Sequence, residues 1–381
     1  MSEKYDLIVV GCGPAGLFLA REVILNSSSK RIAVLDTGRS LSRRVCPLIQ
    51  DGACTQCRIC HIVYGVGGAG MYSDGKLSLW PAGSGLKSIF DNKYAVEAIN
   101  QYVLQAFLEH TEAHGRRTTN DDSAQLAREA RDARLDLKSY EVHHIGTEGI
   151  QAFCGDLEDN LRANGIEILE STVCLDVENF ADLFVVTAKN VRGQNVRLHS
   201  KRVAIATGKA SGFVVRNILK RLGVAMENNP IELGVRVETT SAAVKDISGC
   251  HLDAKIKLPL SDGVEVRSFC MCHGGYLVSC YYDGFSDTPD RLATISGFSF
   301  RDTKSQNGNF GVLVRRRFPA SMDPIAVQAQ LVKALNISSG IGATVVQRLG
   351  DFRANMPTTQ DALDGGKVQS TLRPITPTNL K

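Results

Sequence analysis

The 381-residue sequence predicts an α/β fold: a parallel sheet interrupted by a helical excursion, then a second domain containing an antiparallel sheet. Three observations predict it. An apolar, β-branched run near the N-terminus ends in a glycine-rich turn and passes directly into helical spacing. A second apolar strand follows that helix. From about Arg216 the pattern changes to alternating or β-rich segments set off by glycine turns. The length itself argues for more than one structural unit, because single cores stop growing near ~250–300 residues.

The opening reads Tyr5-Asp-Leu-Ile-Val-Val-Gly11-Cys-Gly13-Pro14-Ala15-Gly16, and Leu17, Leu19, Ala20 and Val23 continue with helical spacing. Gly11 allows the tight turn, Gly13 lets the backbone approach a pyrophosphate, and Gly16 lets the helix pack close against the strand. The free N–H groups at the helix start, around Pro14 and Ala15, favour phosphate. The run Arg31-Ile-Ala-Val-Leu-Asp36 is the next parallel strand, and Asp36 follows Gly16 by about 20 residues. A carboxylate there, with Thr37 beside it, accepts hydrogen bonds from both ribose hydroxyls of an adenosine and repels a 2′-phosphate. Motif, context and spacing together indicate a Rossmann-type dinucleotide site rather than a chance glycine turn.

That opening does not separate FAD from NAD. Residues 165–208 do. A short strand at 165–169 is followed by strands at 173–177 and 184–188, a turn at Arg192-Gly193-Gln194, a strand at 196–198, and the apolar run Val203-Ala-Ile-Ala206 ending in Thr207-Gly208. This resembles the two-dinucleotide-binding-domain flavoproteins, in which a small antiparallel meander precedes a strand ending in Ala-Thr-Gly. The resemblance implies FAD, with Val173 near the adenine and Ala206, Thr207 and Gly208 lining the cofactor crevice. It also implies a glutathione-reductase-like architecture: a Rossmann-type FAD/NAD(P)-binding domain with a β-meander, plus an antiparallel-sheet-containing second domain.

Further blocks narrow the resemblance. These are Arg44-Val-Cys46-Pro47, Cys54-x-x-Cys57-x-x-Cys60, and Gly65-Val-Gly67-Gly68-Ala69-Gly70-Met-Tyr-Ser73-Asp74-Gly75-Lys76-Leu77. With them go His144-Ile-Gly146-Thr147, Ile231-Glu-Leu-Gly234-Val-Arg236-Val-Glu238, Phe269-Cys-Met-Cys272-His273-Gly274-Gly275, Asn307-x-Asn309-Phe310 and Gln347-Arg348-Leu-Gly350-Asp351. Over nearly its whole length the chain resembles a family of bacterial and archaeal FAD-dependent dehydrogenases. The loop at 65–75 can expose consecutive backbone N–H groups in an anion-binding nest. On this resemblance Arg44, Gly67, Gly68, Ala69, Gly70 and Lys76 join the cofactor contacts, with Lys76 near N1 or O2 of the flavin, where it would stabilise the reduced anion. The sequence ends at Thr371-Leu-Arg-Pro-Ile-Thr-Pro-Thr-Asn-Leu-Lys381, where the family continues into a second glycine-rich segment and a final helix.

The expected organisation is a flavin domain in two parts, 1–85 and 141–215, around a helical excursion at 86–140. A substrate or cap domain at 216–370 and a tail at 371–381 follow. In the excursion Val96, Ile99, Val103 and Phe107 recur at helical spacing, and 124–137 is a second helix. The helix at 150–164 carries a core stripe, Phe153, Leu157 and Leu161. In the second domain, strands at 264–272, 276–282 and 292–300 suggest one antiparallel sheet with a helix at 325–335 beside it.

Cys46, Cys54, Cys57 and Cys60 are the most unusual chemical feature. Their spacing suits a tetrahedral zinc or an iron–sulfur cluster. Cys57 and Cys60 also suit a redox dithiol, which requires a depressed thiol pKa. Inert buried thiols are the third reading. Cys270 and Cys272 share a strand face and read as inward-facing, while Cys272 and His273 beside a Gly-Gly turn are catalytic candidates with Cys57 and Cys60. His143 and His144 read as structural, ahead of a helix capped near Gly146 and Thr147.

A net charge of +4 supplies no reason for a nucleic-acid partner, and Arg315, Arg316 and Arg317 make too short a basic run to change that. No apolar run reaches the ~18–20 residues of a membrane span. Eleven cysteines behind an N-terminus without a signal peptide predict a cytoplasmic, reducing location. The expected activity is an FAD-dependent oxidoreductase of dehydrogenase type, acting on a small organic substrate by hydride transfer through flavin N5, its electron donor or acceptor undefined. Gly340-Ile-Gly342 lacks a preceding strand and does not read as a second nucleotide site. The alternative is a dinucleotide-binding or partner-binding module without turnover. A monooxygenase or halogenase ranks lower, because the one tryptophan, Trp80, stands outside any Trp-x-Trp-x-Ile element.

Overall fold

The computed structural model describes residues 4–27, 29–90, 92–110, 116–119, 121–260, 263–283, 291–338, 344–372 and 375–380. The Gly340-Ile-Gly342 segment therefore lies outside the described residues. The chain divides into two compact units, each assembled from three separate stretches.

The first unit comprises Met1–Met71, Cys154–Glu227 and Cys280–Thr294. Its centre is a four-stranded parallel sheet in the order Val203–Ile205, Leu7–Val10, Ile32–Leu35, Glu167–Leu169. Strands buried on both faces read as continuous apolar runs, as Ile8, Val9, Ala33 and Val34 do here, each at 0% exposure. A meander of Val173–Phe180, Leu183–Lys189 and Asn195–Ser200 pairs antiparallel, and Lys4–Tyr5 joins its last strand in parallel. One apolar cluster binds these layers: Tyr5, Ile8, Val10 and Leu35 pack with Val177, Val186 and Ala188 of the meander and with Ile218 of the helix Gly212–Arg221.

The second unit comprises Tyr72–Phe153, Asn228–Ser279 and Ile295–Lys381. It holds a five-stranded antiparallel sheet in the order Ile231–Thr240, Asn307–Arg316, Glu265–His273, Lys255–Pro259, Asp136–Lys138. The predicted helix at 124–137 stops at Asp132, because Arg134 turns into the left-handed region (φ +59°) and Leu137 then pairs with Ile256 as an edge strand. The predicted single sheet is also corrected. Both edges of Glu265–His273 are already occupied, so Tyr276–Asp283 and Arg291–Phe298 pair with each other as a separate two-stranded sheet. Helices span Lys93–His110, Gly146–Ala163 and Pro324–Ser338. No helix among the described residues is long and apolar enough to cross a membrane.

Candidate functional site

A cavity of about 740 Å³ opens in the first unit at the carboxyl ends of the parallel strands. The opening turn contributes Gly11, Gly13, Pro14 and Ala15; the second strand end, Asp36 and Thr37; the glycine loop, Gly68, Ala69 and Gly70. Val173 enters from the meander, and Ala206, Thr207 and Gly208 from the last parallel strand. The crevice outside the carboxyl ends of such a sheet is where doubly wound folds bind ligands.

The local backbone explains why these positions are glycine. Gly11 holds φ +105°, and a Cβ there would lie 2.5 Å from the carbonyl oxygen of Ala206. A Cβ on Gly16 would lie 2.0 Å from the Gly11 oxygen, so the helix Pro14–Asn26 could not seat on the strand. Gly16 thus acts behind the cavity wall. The first-turn N–H groups of that helix have no acceptor within it, and a helix start of this kind favours an anion.

Asp36 does more than motif reading assigns it. Its Oδ2 accepts the N–H of Cys12 at 2.9 Å, and its Oδ1 accepts those of Gly38 and Gly65, both at 2.8 Å. One half-buried carboxylate therefore fastens three loops while also lining the cavity. Arg44 corrects an expectation. It is 3% exposed and spends its guanidinium on the carbonyls of His61 (2.7 Å), Ile62 (3.1 Å), Val66 (2.7 Å) and Gly65 (3.4 Å), which sets the glycine loop rather than lining the cavity. Gly67 likewise stays behind the wall, packed on Met71.

Sequence reading missed Lys209 and Tyr282. Both line the cavity, with the Lys209 ammonium 4.8 Å from the centre of the Tyr282 ring. Lys209 stands next to the Thr207-Gly208 signature and was reachable from it. Tyr282 comes from a strand remote in sequence and carries no local signal.

The N-terminal cysteine cluster does not assemble. Cys60 is buried and its sulfur accepts the N–H of Tyr281 at 3.4 Å, whereas the Cys54 thiol donates to the Tyr281 hydroxyl at 3.8 Å and Cys57 contacts the Thr55 hydroxyl at 3.2 Å. Among the described residues, no three of these four sulfurs come within 4.8 Å of one another. The left-handed residues Gly52 and Gln56 turn the loop between them. Burial pushes the Cys46 and Cys60 thiols up.

In the second unit a different set converges. Lys76 lies 3.1 Å from Asp74 and also donates to the Met271 carbonyl. The Asp74 Oδ2 atom is 3.2 Å from the Cys270 sulfur and 3.7 Å from that of Cys272. Arg236 donates to the sulfur of Cys270 (3.1 Å), to its carbonyl (2.8 Å) and to Asn309 Oδ1 (2.9 Å). Burial alone would raise the Asp74 carboxyl, but the Lys76 ammonium and the Cys270 thiol bring it down to about 2. His144 is 7% exposed and bonds Ser299 at 2.9 Å; burial, then Lys76, lower it to about 4. His273 ends the strand Glu265–His273 and is partly buried.

No family model and no curated protein matches the chain. Among solved structures it is similar to a flavoprotein/dehydrogenase from Cytophaga hutchinsonii, at 13% identity and TM-score 0.34, over 82% of this chain and 56% of that one. It is similar to an anhydrotetracycline hydroxylase from Streptomyces rimosus, at 14% identity and TM-score 0.39, over 87% and 49%. Glycine oxidase from Geobacillus kaustophilus is similar at 13% identity and TM-score 0.36, over 87% and 78%. The chain thus spans about half the length of the first two.

Proposed function

We propose that the cavity of the first unit holds FAD and that the chain is a flavin-dependent oxidoreductase acting on a small organic molecule. The observation that carries this is the common wall. The turn residues Gly11, Gly13, Pro14 and Ala15, Asp36, the loop residues Gly68–Gly70, Val173 and the Ala206-Thr207-Gly208 strand end all meet at one cavity, whose volume lies in the ~300–1,000 Å³ range of ligand sites. Asp36 takes the adenosine ribose, its charge disfavouring a 2′-phosphate. The helix start at Pro14 and the amides of the glycine loop take the pyrophosphate, and Lys209 offsets its charge. The bound flavin supplies two-electron chemistry at ring N5.

The test is an anaerobic titration of the full chain with FAD, NAD and NADP, followed by visible absorption and flavin fluorescence. FAD is expected to bind best and to bleach when a suitable reductant is added. A colourless protein that takes up no FAD, or one that prefers NADP, overturns the reading. Bound FAD that no donor reduces would leave a binding module in place of an enzyme.

A further inference from the structure

The second unit contains a buried thiol pair that the proposed cofactor site does not use. Along Glu265–His273, Phe269 faces Gly311 while Cys272 faces Asn309, so three steps of one strand span two of its partner. The extra residue makes a β-bulge in which Cys270 adopts φ +49°. Such a conformation strains a non-glycine residue and persists where the surroundings over-determine it. Its result is to bring the two sulfurs to 3.9 Å, beside one carboxylate oxygen of Asp74.

The remaining polar groups are donors. Lys76 Nζ lies against Asp74, Arg236 Nη2 against the Cys270 sulfur, and the fully buried Asn309 Nδ2 has no hydrogen-bond partner. Gly275 brings Asn309 and Cys272 together: a Cβ there would lie 3.0 Å from Asn309 Nδ2 and 2.5 Å from Cys272 Cβ. A divalent cation would find cationic donors where it needs a fourth ligand. A thiolate is what such surroundings stabilise. Lys76 and Arg236 outweigh Asp74 by one positive charge, which one thiolate balances; nearby Asp253 is matched by Lys255 at 3.6 Å, and Lys304 is exposed.

We infer that Cys270 and Cys272 form a peroxide-reactive dithiol that closes reversibly to a disulfide. The Cys272 thiolate attacks one oxygen of hydrogen peroxide, the O–O bond breaks, and Cys272 becomes a sulfenic acid as hydroxide leaves and takes a proton from solvent. The Cys270 thiol then attacks that sulfur, the S–S bond forms, and the S–O bond breaks with loss of water. Two thiols give up two electrons, and one peroxide becomes two waters. Cys272 is 1% exposed and Cys270 only partly exposed, which restricts the oxidant to one of a few atoms.

The test is one equivalent of hydrogen peroxide on the native full chain, then denaturation, alkylation and peptide mapping. Cys270 and Cys272 are expected to lose their labels together and to regain them after dithiothreitol. Cys270→Ser should instead trap a dimedone adduct on Cys272. Should that variant not fold, labelling of the wild-type chain decides alone. Both cysteines remaining alkylated while other thiols oxidise would overturn the inference, as would one equivalent of bound zinc protecting the pair.

Discussion

Replacing Asp36 by Asn separates the carboxylate's structural work from its part in ligand recognition. The side chain keeps its shape, but the amide offers one acceptor oxygen where the carboxylate offers two. The orientation that keeps Oδ1 in place retains the bonds from Gly38 and Gly65 and turns an NH₂ group onto the N–H of Cys12, a residue at 0% exposure. That amide is left buried and unpaired, a loss of ~1–3 kcal/mol. The two retained bonds lose their charge assistance, roughly half their strength, or ~1 kcal/mol each. The total is about 3–5 kcal/mol, concentrated at Cys12. Residue-resolved amide hydrogen exchange reads this directly. Protection at Cys12 should fall by roughly 30-fold, and at Gly38 and Gly65 by roughly 5-fold, at ~1.4 kcal/mol per decade. FAD affinity should fall as well, since the ribose loses a charged acceptor. If affinity falls while all three amides keep their protection, Asp36 is not the fastening point between these loops, and the account of the cavity wall is wrong.

Other perturbations follow from the same geometry. Gly11→Ala places a Cβ 2.5 Å from the Ala206 oxygen at φ +105°, and should cost at least ~3 kcal/mol and abolish FAD uptake; normal uptake with normal thermal stability would refute this. His144 stays neutral in the folded chain down to about pH 4 but protonates near ~6.5 when unfolded, so its contribution is full above 6.5 and lost as pH falls toward 4. Against His144→Gln, the wild-type chain should lose about 3 kcal/mol more urea stability over that window, and parallel pH profiles would count against the buried neutral imidazole. Tyr140→Phe removes a hydroxyl that donates to the backbone carbonyl (2.8 Å) and the carboxylate (2.7 Å) of buried Asp253, and should lower stability by ~1–3 kcal/mol; an unchanged urea midpoint would show that this pair is dispensable.

The glycine-rich turn at the cavity was legible in the sequence because its requirements are local. Gly11, Gly13 and Gly16 answer to the backbone within one strand–turn–helix, and Asp36 ends the adjacent strand, so composition and spacing carry the information. The meander was legible for the same reason, through alternation and glycine turns. Regular cysteine spacing, by contrast, did not predict where sulfurs meet: Cys46, Cys54, Cys57 and Cys60 part across a turning loop, whereas Cys270 meets Asp74 over a separation of 196 residues. Packing gives Arg44 four loop carbonyls and Lys76 a buried carboxylate, partners that no motif names. A buried charge must find its partner wherever the folded chain presents one, and that partner is set by strand pairing and bulges rather than by sequence neighbours. The sequence by itself determined the glycine-rich strand–turn–helix and the strands that carry it. Only the tertiary structure decided which titratable side chains face one another.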